Sequence, residues 1–205
     1  ELLDVTREEP KVFHAGASGA GGIIEAISHF GLLPAEDLAD YLEDSSDVPQ
    51  EGADLVIVYH RLPFEEYIED GERKRRGHAS PNGIIPTLLS FFADGRKGSW
   101  VAWSLDSPEL PAVEAHSTVD EQRYPNLRTA NVPLSPDDVD IFYKRFSKEA
   151  FWPTLHTFWE RAHFDEEHWT TFLEVNERFA RHAADEAASN AIVWLHDYNL
   201  WMVPA

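Results

Sequence analysis

One guanidinium stands just behind an apolar run. Arg61 follows Leu55-Val56-Ile57-Val58-Tyr59, with His60 between, and is the single base among twelve acids from Glu36 to Asp70. Its planar fork of donors suits a phosphate; the alternative is a surface ion pair with the surrounding acids. Asp197 takes a similar place behind a second run, Ala191-Ile192-Val193-Trp194-Leu195. A carboxylate there can orient an attacking hydroxyl, or cap the segment from Tyr198 onward, and the two roles are compatible. Gly83 precedes a helical stretch, where backbone N–H groups can approach a diphosphate with no Cβ in the way; Asn82-Gly83 is otherwise an ordinary turn. Trp103, Tyr143 and Trp152, taken by themselves, read as core aromatics with their polar tips satisfied locally. His163 and His168, with Glu167 beside the second, lack zinc-helix spacing and read as a solvated helix start. Arg73-Lys74-Arg75-Arg76 reads as a solvated basic loop, with electrostatic guidance of an anionic substrate as the second reading. Cysteine is absent, which excludes disulfides and thiolate metal sites. No metal and no cofactor are expected.

The elements that must position these groups follow from apolar periodicity. Leu55 to Tyr59 is continuously apolar, as in a strand buried on both faces of a parallel sheet. Glu65 to Ala79 reads as a long polar excursion. Ile84 to Phe92 has helical spacing, and Trp100-Val101-Ala102-Trp103 and Arg128 to Val132 read as further strands. Ser135-Pro136-Asp137-Asp138 combines a serine cap, a first-turn proline and acids facing the dipole, which predicts a helix start. Trp169, Phe172, Leu173, Phe179, Ala180, Ala183 and Ala187 form one stripe, predicting an amphipathic helix over about Glu166 to Ala188. Alternating strands and helices make the fold class α/β, with a Rossmann-like, largely parallel sheet. Ligands of such sheets bind beyond the carboxyl ends of the strands, where the loops after Tyr59, Trp103 and Leu195 fall. Upstream, Lys11 to Phe13 reads as extended, Gly16 to Gly22 as a turn that does not complete a dinucleotide pattern, and Ile23, Ile24, Ile27 and Phe30 as one helix face stopped by Gly31. Pro34 to Gly52 has a linker's composition and predicts a domain boundary.

At 43% hydrophobic and 12% aromatic, the 205 residues are unlike a disordered tail and suffice for one core or one and a half small domains. No apolar run approaches the roughly 18 residues of a membrane span and no signal-peptide pattern opens the chain, so the protein is read as cytoplasmic. A net charge of −20, from 37 acids and 17 bases, repels phosphate backbones and argues against nucleic-acid partners. The acidic excess reads as a solvated surface or as adaptation to a salty interior. The chain opens without methionine and closes on Trp201-Met202-Val203-Pro204-Ala205 just after an apolar segment, so it is read as a piece of a longer polypeptide.

Several short pieces carry a resemblance when taken in order. They are His60-Arg61-Leu62-Pro63, Asn82-Gly83, Trp100-Val101-Ala102-Trp103-Ser104, Phe142-Tyr143, Phe146-Ser147, Trp152-Pro153, Val175-Asn176, Phe179-Ala180 and Trp194-Leu195-His196-Asp197-Tyr198. Together, from about Leu55 to Pro204, they resemble the N-terminal domain of the trehalose-6-phosphate synthase family of retaining glycosyltransferases. Ser147-Lys148-Glu149-Ala150-Phe151-Trp152-Pro153 and His196-Asp197-Tyr198-Asn199-Leu200-Trp201 resemble the branch that forms glucosylglycerol phosphate. Members that form trehalose 6-phosphate usually carry histidine where Asn199 stands and two glycines where Asn82-Gly83 stands.

The resemblance implies a GT-B fold whose N-terminal, acceptor-side domain spans 53–205. It implies a nucleotide sugar, ADP-glucose in preference, as donor and glycerol 3-phosphate as acceptor, giving the precursor of a compatible solute. The runner-up is UDP-glucose with glucose 6-phosphate; from another class, the domain only binds a phosphorylated ligand or a partner. It assigns the acceptor phosphate to Arg61, Tyr143 and Trp152, the acceptor pocket wall to Trp103, the donor diphosphate to Gly83 and acceptor orientation to Asp197. The leaving phosphate takes the proton in such enzymes, so Asp197 is not expected to be a covalent nucleophile. A homo-oligomer is compatible with this picture. Residues 1–33, through Val12-Phe13-His14-Ala15-Gly16 and His29-Phe30-Gly31-Leu32-Leu33, resemble the tail of a haloacid-dehalogenase-type phosphatase, ahead of an acidic linker at 34–52. The family's second domain supplies basic residues for the donor diphosphate. The 205 residues alone are therefore expected to show weak or no activity and to expose the seam where the sheet continues.

Overall fold

The computed structural model describes residues 52–78 and 83–205. Its strands are β1 (Ala53–Tyr59), β2 (Glu65–Glu69), β3 (Glu72–Arg76), β4 (Gly98–Leu105), β5 (His116–Thr118), β6 (Leu127–Leu134) and β7 (Ala187–His196). Its α-helices are α1 (Ile84–Ser90), α2 (Pro136–Val139), α3 (Trp152–Leu155) and α4 (Glu166–Glu186). The main sheet has the order β5-β6-β4-β1-β7, parallel throughout except for the antiparallel β5.

Every residue of β1 except Asp54 is buried. Val56 and Val58 point into one core with Val101, Val132, Phe142, Phe172 and Phe179, while Leu55, Ile57 and Tyr59 point into a second with Leu88, Phe92 and Trp100. Alternate side chains of a strand face opposite sides, so helices covering both faces demand an unbroken apolar run. Each fully buried side chain of this kind contributes about 1.5–3 kcal/mol.

Helix α4 begins where Asp165 accepts the N–H groups of Glu167 and His168 and lays Phe172, Val175, Phe179 and Ala183 on the sheet. Asn176 lies on the same buried stripe. Its amide donates to the carbonyls of Phe172 and Asn199 and accepts the N–H of Met202, tying the segment behind β7 to the helix. Ser135 and Asp138 cap α2 reciprocally, and Asp138 also receives Arg178 of α4 at 2.9 Å. From α2 the chain continues as a π-helical stretch, Asp140–Phe151, whose last bond runs from the Trp152 N–H to the Ser147 carbonyl five residues back.

Two expectations are corrected. Glu65 to Arg76 is a β2–β3 hairpin, turned by Asp70 and Gly71, both at positive φ. Arg73 to Arg76 accordingly form a strand whose cations pair with Glu66, Glu69, Glu114 and Glu65; neither a solvated loop nor an unpaired cationic lure remains. β7 starts four residues earlier than predicted and is an edge strand, with Ile192 and Trp194 exposed. The expectations for residues 1–51 and for Asn82 lie outside the described residues. Among the described residues no helix is long and apolar enough to cross a membrane.

Candidate functional site

Parallel pairing sets Tyr59, the last residue of β1, opposite His196, the last of β7. His60-Arg61 and Asp197 therefore leave the sheet side by side at its carboxyl edge. The loop after β1 is held from below: the Trp100 indole donates to the Arg61 carbonyl at 2.8 Å, and Leu62 and Phe64 are buried. The Arg61 guanidinium is left exposed, and its Nη2 donates to the Tyr143 hydroxyl at 3.5 Å.

Tyr143 comes from the π-helical stretch and stacks on the His60 ring at 4.8 Å. His60 is 3% exposed, and burial, followed by the charges of Arg61 and Lys148 and by His196, lowers its pKa to about 3. The imidazole is thus neutral near pH 7, and its 3.9 Å approach to Asp197 Oδ2 is no ion pair. Asp197 has φ 83° and ψ 151°, and its Oδ1 accepts the N–H of Tyr198 at 2.9 Å. Burial, the largest influence, raises the Tyr198 phenol above its usual range, against the pull of Lys148.

Trp152 is half exposed, lies 3.9 Å from the His156 ring and 5.8 Å from Tyr198. Lys148 Nζ stands 5.1 Å from the Tyr143 ring centre and 4.9 Å from that of Trp152. Trp103 lies elsewhere around Arg61: it shares with Arg61 and His60 a cavity of about 590 Å³ that extends to Glu66 and Arg73. Its buried indole N–H has no partner among the described residues. Gly83 borders another cavity, of about 700 Å³, again with Arg61, and with Tyr59, Arg123 and Tyr124. A Cβ built on Gly83 would meet nothing within 4 Å, so internal packing does not require glycine there.

Arg61 is therefore the hub. Tyr143 touches it, Trp152 joins through Lys148, Asp197 flanks it across His60, and Trp103 and Gly83 reach it from different cavities. Lys148, His60 and Tyr198 went unassigned in the sequence reading, although all three lie within the quoted motifs. The signal for Lys148 was hidden by helix geometry. Nine residues are about two and a half α-helical turns of 3.6, which would set Tyr143 and Trp152 on opposite faces. A π-helix, bonded five residues back, turns more slowly, and with Trp152 as the cap of that stretch Lys148 comes to face both the Tyr143 and the Trp152 rings.

The chain resembles known proteins over most of its length. The model of glycosyltransferase family 20 matches residues 53–205. A glucosylglycerol-phosphate synthase of Pseudomonas anguilliseptica is 58% identical over 206 residues, covering 99% of this chain and 27% of that protein. A trehalose-6-phosphate synthase of Mycolicibacterium smegmatis is 37% identical over 155 residues, covering 74% of this chain and 28% of that protein. Among solved structures, an α,α-trehalose 6-phosphate synthase from Burkholderia multivorans superposes with a TM-score of 0.55 at 25% identity, over 72% of this chain and 29% of that one. The chain thus spans less than a third of the length of the relatives it matches, and its fold is that of their GT-B architecture.

Proposed function

The chain belongs to glycosyltransferase family 20, and from that premise we propose that it forms the acceptor-side domain of a retaining enzyme that transfers glucose from ADP-glucose to glycerol 3-phosphate. The product, glucosylglycerol phosphate, is the precursor of a compatible solute. The carrying observation is the cluster at the carboxyl edge of the sheet, where Arg61 donates to Tyr143 and stands clear of any carboxylate ion pair among the described residues. In a chain of net charge −20, an exposed, unpaired guanidinium suits an anionic ligand. The choice of acceptor is supported by 58% identity to a glucosylglycerol-phosphate synthase against 37% to a trehalose-6-phosphate synthase.

Transfer replaces the nucleoside diphosphate at the anomeric carbon by an acceptor hydroxyl, and much of the rate comes from holding the two reactants in line. Arg61 and Tyr143 take the acceptor phosphate with Trp152 beside it, and Trp103 walls the acceptor's polyol. Backbone N–H groups at Gly83 approach the donor diphosphate. Asp197 orients the attacking hydroxyl, and the leaving phosphate takes its proton. Neutral His60 supplies no proton near pH 7; its part is to stack on Tyr143 and fix the phenol. Residues 53–205 are read as this domain, with 1–33 as a phosphatase tail and 34–52 as a linker.

The runner-up, glucose 6-phosphate as acceptor, is favoured by the roughly 590 Å³ cavity beside Trp103, which has room for a hexose. Thermal shift separates the two, since a ligand at 100 times its Kd stabilises by about 2.7 kcal/mol. Glycerol 3-phosphate is expected to raise Tm more than glucose 6-phosphate, and a product assay on the full-length enzyme with both donors and both acceptors to favour ADP-glucose with glycerol 3-phosphate. The reverse preference selects the runner-up. No shift and no product with any pair leaves a partner-binding domain and overturns the proposal.

A further inference from the structure

Lys148 has no part in the scheme above, yet its setting is that of a ligand-binding cation. Its ammonium faces three rings, 5.1 Å from Tyr143, 4.9 Å from Trp152 and 6.0 Å from Tyr198, and cation–π attraction holds it there. Lys144 and Arg145, on the same helical stretch, both pair with Asp140. Lys148 pairs with no carboxylate among the described residues, and neither does Arg61, although the chain carries 37 acids. The two cations also meet at one place. Tyr143 accepts from Arg61 and presents its ring to Lys148, and both charges act on the His60 imidazole stacked against that ring. Asp197 acts on Arg61 only through space; with no carboxylate in an ion pair with either cation among the described residues, an anion placed between them is attracted by both.

We propose that Lys148 is a second cationic contact for the acceptor's phosphate, which sits between its ammonium and the Arg61 guanidinium against Tyr143 and Trp152. The guanidinium supplies a directional fork and the ammonium a compact point charge. The pair favours a phosphomonoester dianion over a neutral polyol. This rests on the proposed function and names the group that gives the acceptor its affinity.

The test uses the full-length enzyme that contains this domain, as wild type, Lys148→Met and Lys148→Arg. Methionine keeps the apolar length against the rings, and Tm checks that the fold is retained. Calorimetric titration with inorganic phosphate reads the clamp directly, and kinetics read acceptor and donor KM separately. Lys148→Met is expected to weaken phosphate binding and raise the KM for glycerol 3-phosphate by about tenfold or more, with the donor KM unchanged. Lys148→Arg is expected to stay near wild type. Equal phosphate affinity in wild type and Lys148→Met overturns the clamp, as does an equal loss in both variants, which is the mark of a packing role. A wild type that binds phosphate through Lys148 but transfers to neither acceptor removes the proposed function and leaves the clamp standing. A wild type that transfers to glycerol 3-phosphate while Lys148→Met does so unimpaired removes the clamp alone.

Discussion

Asp197 sits in a backbone region that side chains other than hydrogen rarely adopt, with φ 83° and ψ 151°, at a cost of order 1–3 kcal/mol. The strain persists because both sides are anchored: β7 is paired to β1 up to His196, and Asn176 grips the Asn199 carbonyl behind it. Such placement aims the carboxylate at the His60–Arg61 loop, while its own Oδ1 caps Tyr198. The two sequence-level readings of Asp197, cap and orienting group, are thus both open to one variant. Asp197→Asn keeps an oxygen for the cap and removes the charge. Tm is expected to hold while kcat falls by roughly 100-fold; an unchanged kcat would reduce Asp197 to a cap. The placement of Arg61 and Asp197 at the carboxyl ends of β1 and β7 was legible because each stands one histidine beyond an apolar run. Lys148 was not, because its neighbours depend on how many residues make a turn.

Caps and turns separate what was legible at the level of elements. The Ser135 cap was legible because its bond is local, Asp138 N–H to Ser135 Oγ, and the structure adds the reciprocal bond from Ser135 N–H to Asp138 Oδ2, both 3.0 Å. Asp138 further holds Arg178, so the cap also fastens α2 to α4 at the root of the π-helical stretch. Ser135→Ala is expected to lower stability by about 1 kcal/mol in urea titration, and to raise acceptor KM by loosening Tyr143. A KM that stays constant while stability drops would uncouple the cap from the site. The β2–β3 hairpin could have been read from Asp70-Gly71, a pair that favours the φ > 0 turn. The density of charge on both sides masked it: Glu65, Glu66 and Glu69 face Arg76, Arg75 and Glu72 across the ladder, so neither strand has the apolar alternation by which strands are recognised.

At the scale of the described molecule, the carboxyl edge of the sheet carries the proposed site and the opposite edge carries a stabilising clasp. Glu186, buried at the end of α4, accepts from His116 of β5 at 2.6 Å and from Arg128 of β6 at 3.0 Å. Burial, the largest single influence, pushes its carboxyl up, but His116, Ser99 and Arg128 together outweigh it and the net pKa is lowered. A carboxyl lowered in the fold contributes stability that is present above its unfolded value, about 4.3, and is lost as pH falls through the folded one. His60 adds a separate loss, since a lowered imidazole destabilises the fold progressively from about pH 6.5 downward. The difference between wild type and Glu186→Gln isolates the clasp: it is expected to be about 1–3 kcal/mol near neutrality and to shrink below about pH 4.3. A difference that stays constant down to pH 3 would refute it. The sequence by itself determined the α/β class, the succession of the apolar strands β1, β4, β6 and β7 with helices α1, α2 and α4 among them, the cap at Ser135 and the family wording, because apolar period and capping are decided within a few residues. Only the tertiary structure decided which side chains meet. Parallel pairing of β1 with β7 joins Arg61 to Asp197 across more than a hundred residues, and Phe142 and Phe146, packed on Phe172 of α4, hold the π-helical stretch whose wider turn gathers Tyr143, Lys148 and Trp152.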